Sequence, residues 1–171
     1  MQNNPSLSIY DYNTWANTTI LNHLKQLPNG TCNEIIKSVF PSIFDTLMHI
    51  YIIDRGWYSV LTKEYASDDY ETIKKSVEKL IAQTKDNSLE EFEQKQNQLS
   101  KNFRNFIENN DMEIKDIFSS VSMKYVDIIQ HIVNHGTYHR GNITAMLHQL
   151  GHPGVGTDYS LYLYHSNRID S

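Results

Sequence analysis

The sequence predicts an all-α fold, a four-helix bundle, and three observations carry that expectation. Apolar side chains recur at three- and four-residue intervals in four long stretches. Helix caps and Pro, Gly or Asn clusters punctuate those stretches. Near the C-terminal end, His131, His135 and His139 follow one another at four-residue spacing, which gathers side chains on one face only if the backbone is helical. Amphipathic helices of this kind must bury their stripes against each other, so residues 1–171 are expected to form a single bundle domain.

The first helix is expected from Ser6 or Ser8 to Leu27, with Ile9, Tyr12, Trp15, Ala16, Thr19, Ile20, Leu24 and Leu27 forming its stripe. Pro28-Asn29-Gly30 ends it. His23 lies beside that stripe, where a lone histidine is more often a surface or hydrogen-bonded group than a ligand. A second helix is expected from about Pro41-Ser42, proline suiting the first turn, through Leu61. It is apolar nearly all round, which places it centrally, and His49 within it is therefore either a hydrogen-bonded core group or a metal ligand. Asp54 and Arg55 in the same helix read as partners behind the ligands or, more simply, as a solvated edge.

From Glu64 to Asn87 the chain is polar. Tyr65-Ala66-Ser67-Asp68-Asp69 reads as a loop and helix start, and Ile73, Val77, Leu80 and Ile81 as a short amphipathic cover helix ended by Lys85-Asp86-Asn87. Ser88-Leu89-Glu90-Glu91 has the capping-box form and opens a third long helix with Leu89, Phe92, Leu99, Phe103, Phe106 and Ile107 inward, stopped by Asn109-Asn110-Asp111. Met112 to Val121 is a poorly periodic crossover in which Ile114, Ile117 and Phe118 are expected to cover one end of the bundle. Ser122 then caps a fourth helix that runs to Leu150, before Gly151 and Pro153. Gly136 and Gly141 inside it each cost about 1 kcal/mol relative to alanine, which points to close packing or room at a site. In the tail, Gly154 to Ser171, the rings of Tyr159, Tyr162 and Tyr164 with Leu161 and Leu163 are expected to pack on the bundle or on a second subunit.

Charge narrows the function. A formal net charge of −5 and 15 scattered Lys and Arg leave no basic footprint for nucleic acid. Met1 to Tyr10 lacks the basic and apolar segments of a signal peptide, and no apolar run is long enough to span a bilayer. A soluble cytoplasmic protein is expected. Cys32, the single cysteine, has no internal partner, and no neighbouring base marks it as a nucleophile.

The histidines carry the chemistry. Imidazoles four residues apart on a helix have Cβ atoms about 5–6 Å apart, close enough to share one cation at metal–nitrogen distances of about 2.0–2.1 Å. All three cannot share it easily, because eight residues rise about 12 Å along the axis. Spacing leaves His131/His135 and His135/His139 as alternatives. Either pair leaves a divalent ion such as zinc or nickel short of ligands, and His49 on a separate core helix is the natural third. Three neutral histidines also leave an open coordination position, the mark of catalytic rather than closed structural sites. A His-Glu-x-x-His protease is disfavoured because Gly136 stands where the glutamate would be. A di-iron bundle is disfavoured by the lack of Glu-x-x-His pairs. His148 and His152 repeat the spacing, but Gly151 and Pro153 break the helix there.

The run Asn134-His135-Gly136-Thr137-Tyr138-His139-Arg140-Gly141-Asn142-Ile143-Thr144-Ala145-Met146-Leu147, followed by Leu150-Gly151, closely resembles the signature of the DinB family of metalloenzyme-like proteins. The likeness extends more weakly to His49-Ile50 with Trp57 and to Tyr12-Asn13-x-Trp15-Ala16-Asn17. It implies an up-down-down-up four-helix bundle, often a homodimer, with a divalent ion on His49, His135 and His139. His131 then lines the pocket or stands behind the ligands. Tyr138 and Arg140 are candidate substrate-binding groups, with packing and a helix-anchoring ion pair as their plainer roles. Asn142 departs from the glutamine that usually follows Arg-Gly. The activity implied is that of a metal-dependent enzyme, a thiol-S-transferase acting with a low-molecular-weight thiol or a hydrolase of a small molecule. The alternative is a non-catalytic metal-binding or stress-related interaction protein.

Overall fold

The computed structural model describes residues 4–64, 70–118 and 121–166, with the side chains of 117 and 118 also left aside. Four long helices dominate: α1 (Pro5–Leu24), α2 (Ile43–Leu61), α4 (Leu89–Asn109) and α5 (Tyr125–Gln149). Two shorter ones, α3 (Tyr70–Ala82) and α6 (Tyr159–Ser166), lie outside them. Among the described residues the chain is all-α apart from one two-stranded antiparallel pair.

Local chemistry explains most boundaries. Asn4 caps α1 by accepting from the Ser6 and Leu7 amides, and Pro5 opens the helix where no amide hydrogen is needed. The helix stops at Leu24, short of the expected Leu27. The Gln26 and Leu27 amides bond three residues back, to the His23 and Leu24 carbonyls, because the residue before Pro28 avoids the α region. Ser42 caps α2 through the Asp45 amide, so Pro41 precedes the cap instead of sitting in the first turn. Ser88 and Glu91 form the expected capping box on α4.

The largest departure is the crossover. Lys115–Phe118 (β1) and Val121–Lys124 (β2) pair antiparallel, Lys115 opposite Lys124 and Phe118 opposite Val121. Ser122 is thus a strand residue and not a cap. Helix α5 begins later, at Tyr125, with the Asp127 carboxylate accepting from the Lys124 amide. Two four-residue strands are too short for a helical or alternating period to register in sequence. Ile114 is 44% exposed and does not cover the bundle end, while the Ile117 and Phe118 side chains fall outside the described residues, as do Tyr65–Asp69 and 167–171.

Helix α5 packs against both α1 and α2, and α4 packs against the same two from the other side. The core between them holds Ile20 and Leu21 of α1, Ile43 and Leu47 of α2, Phe103 and Ile107 of α4, and Ile129, Ile132, Ile143 and Met146 of α5. Helix α3 covers α2 through Val77 and Leu80. The tail returns to α1, where Tyr162 packs against Tyr12 and Trp15 and the Tyr12 hydroxyl donates to the Thr157 carbonyl at 2.9 Å. Tyr164 is 64% exposed, so not every ring of the tail is packed away. Among the described residues no helix is long and apolar enough to cross a membrane.

Candidate metal centre

Packing of α2 on α5 brings three imidazoles together. His49 comes from the middle of α2, and His135 and His139 from successive turns of α5, with ligand-capable nitrogens all within 4.8 Å of one another. Nε2 of His49 stands 3.1 Å from Nε2 of His135. Two nitrogens bonded to one tetrahedral ion at about 2.05 Å stand about 3.3 Å apart, so the observed spacing fits a shared cation with little movement. The ring centroids of His139 lie 4.6 Å from His49 and 4.5 Å from His135.

Electrostatics keep the rings in the ligating form. Burial lowers the pKa of His49, and burial followed by the nearby His49 charge lowers that of His139. His135 is pushed down to about 4 by burial, then by His139, His49 and His131. Neutral imidazoles carry the lone pairs a cation needs.

The group therefore could hold a divalent metal ion, and it has a particular lineage. The family model for DinB matches residues 1–169. Protein DinB of Bacillus subtilis (strain 168) is 40% identical over 165 residues, covering 93% of this chain and 94% of that protein. This chain belongs to the DinB family.

The other residues singled out in this DinB chain fall into distinct places. His131 is exposed and stacks on His135 at 5.8 Å, with Trp57 edge-on at 5.2 Å, but it does not join the converging nitrogens. Tyr138 is 63% exposed and touches the edge of His139, so it stands at the rim instead of packing in the core. Arg140 turns the opposite way. At 1% exposure, its Nη1 donates to Asn13 Oδ1 and Asn17 Oδ1, both at 2.7 Å, and its Nη2 donates to Thr137 Oγ1 at 2.9 Å. It anchors α5 to α1 through carboxamides where an ion pair was expected. His23 bonds the Pro153 carbonyl at 2.7 Å, away from the centre.

Phe40 and the burial of Asp54 escaped the sequence reading, and Asn142 entered it only as a departure from the family's glutamine. Phe40, in the segment between α1 and α2, packs 4.6 Å from the His49 ring and 5.6 Å from the His139 ring, forming an apolar wall. Asp54 is 1% exposed, not a solvated edge, and burial raises its pKa well above the carboxylate range against the opposing pull of Arg140. Only Arg55 of that pair stays at the surface, bonded to Glu64 at 2.6 Å. Asn142 lies against His139, its Nδ2 3.4 Å from Nδ1. An apolar residue before a helix cap and polar residues one turn from a ligand are faint signals that gain meaning only once helices are paired.

Proposed function

We propose that this chain binds one zinc or nickel ion through His49, His135 and His139 and works as a metal-dependent enzyme, a thiol-S-transferase or a hydrolase. The convergence of three ring nitrogens from two helices within 4.8 Å carries this reading. An all-imidazole donor set suits borderline ions of this kind, and three protein ligands leave a position for an exchangeable one. A divalent ion held there supplies Lewis acidity, which makes a thiol or a water a better nucleophile near neutral pH.

The side chains around the group divide the remaining work. Phe40 and Tyr138 both meet the His139 ring edge-on and offer apolar surface to a small substrate. Among the described residues no carboxylate joins the histidine group, so we assign proton transfer to His131, the exposed imidazole beside His135. A low-molecular-weight thiol is the co-substrate we favour, in a reducing cytoplasm where the unpaired Cys32 is stable. The exposed Tyr164 supports a homodimer as the working form.

Activity is tested by stripping the protein, reloading it with zinc or nickel, and screening electrophilic substrates with several thiols and with water. Metal-dependent turnover is expected. A fully loaded protein that turns over none of them favours the non-catalytic metal-binding role.

A further inference from the structure

We propose that Asn142 is a positioning residue for the centre: its side-chain amide sets the tautomer of His139 and so decides whether Nε2 offers a lone pair. The proposal rests on the metal-binding reading above. Asn142 follows His139 by three residues on α5, which puts the two side chains on one face, and its Nδ2 stands 3.4 Å from His139 Nδ1. A neutral imidazole has one N–H and one lone pair, so the partner of Nδ1 dictates the state of Nε2.

The carboxamide has two settings. With Nδ2 toward the ring, as here, Asn142 donates to Nδ1 and the imidazole proton sits on Nε2, which then cannot ligate. A half-turn of the amide brings Oδ1 to the same place, where it accepts from Nδ1–H and frees the Nε2 lone pair. Helix α5 holds both residues in register, so only the amide need turn when a cation arrives. The other described ring neighbours of His139, including Phe40 and Tyr138, give Nδ1 no competing bond. Nδ1 of His135, by contrast, is buried without a hydrogen-bond partner among the described residues.

The test reads tautomers by proton–nitrogen correlation spectra of histidine-labelled protein at mildly alkaline pH, and zinc affinity by competition with a chelating dye. Metal-free wild type should show His139 protonated on Nε2, moving to Nδ1 on zinc loading. Asn142→Asp, which can only accept, should show Nδ1–H without metal and bind zinc at least as tightly as wild type. Asn142→Leu should give mixed tautomers and about 10- to 100-fold weaker zinc binding, with the His23 signal and helical circular dichroism unchanged. Asn142→Ala serves the same purpose if the leucine variant misfolds. A Leu or Ala variant with the wild-type tautomer and wild-type zinc affinity, or an Asp variant still protonated on Nε2, overturns the proposal. If wild type binds no zinc, the metal-binding reading fails, while the metal-free spectra still decide whether Asn142 controls the ring.

Discussion

At His135 burial and three neighbouring imidazoles all act against the proton, and this has a consequence for the metal-free protein. Its folded pKa of about 4 lies below the ordinary 6.5, so between those values the unfolded chain binds more protons than the folded one. Stability therefore rises with pH across that interval and is lost as the pH falls through it. His49 and His139 contribute with the same sign. Thermal melts of metal-free protein should show the melting temperature falling from neutral pH toward about 4, with a shallower fall in His135→Ala. Equal slopes for the two proteins would show that His135 does not titrate as described. His131 makes the complementary residue-scale case. His131→Ala should keep the metal and lose about 100-fold or more in turnover, the usual cost of removing a general acid–base group. Loss of metal in that variant would make His131 a ligand instead.

Between elements, the contact of α1 with α5 explains why a glycine is tolerated inside a long helix. A Cβ at Gly136 would come within 2.7 Å of Arg140 Nη1 and 2.8 Å of Asn13 Oδ1. Arg140 cannot give way without breaking its bonds to Asn13 and Asn17. Gly136→Ala should therefore destabilise the protein by about 1–3 kcal/mol in denaturant melts, although alanine favours helix by about 1 kcal/mol. A stabilised variant would mean that Arg140 relaxes freely. Removing the guanidinium itself leaves Asn13 Oδ1 and Asn17 Oδ1 buried without their donor, and Arg140→Ala should cost about 3 kcal/mol or more in the same measurement. Nothing in the periodicity of α5 announces this anchor. The i,i+4 pattern shows that Arg140 lies on a helix, but its partners on α1 are more than a hundred residues away. The strand pair before α5 was hidden for a different reason, since backbone pairing holds β1 to β2 where side-chain pattern is too short to be read.

Across the whole molecule, a cation on His49, His135 and His139 would tie α2 to α5. Ligand that binds only the folded state adds about 2.7 kcal/mol at a hundredfold excess over Kd. For a chain of this size that is about 5–10 °C in Tm, reversed by a chelator. The apolar stripes and caps made the four long helices legible, and the four-residue spacing with the DinB-like motif made the histidines legible. Phe40 and the buried Asp54 were not, because each depends on how helices and connecting segments meet in space, whereas the Asn142 contact with His139 follows from three-residue spacing on α5. The most direct test of the account is metal content per chain after purification and dialysis, measured by mass spectrometry of the elements. It predicts one zinc or nickel ion in wild type and in His23→Ala, and none in His49→Ala, His135→Ala or His139→Ala. Wild type without metal, or full occupancy in any of those last three variants, would contradict it.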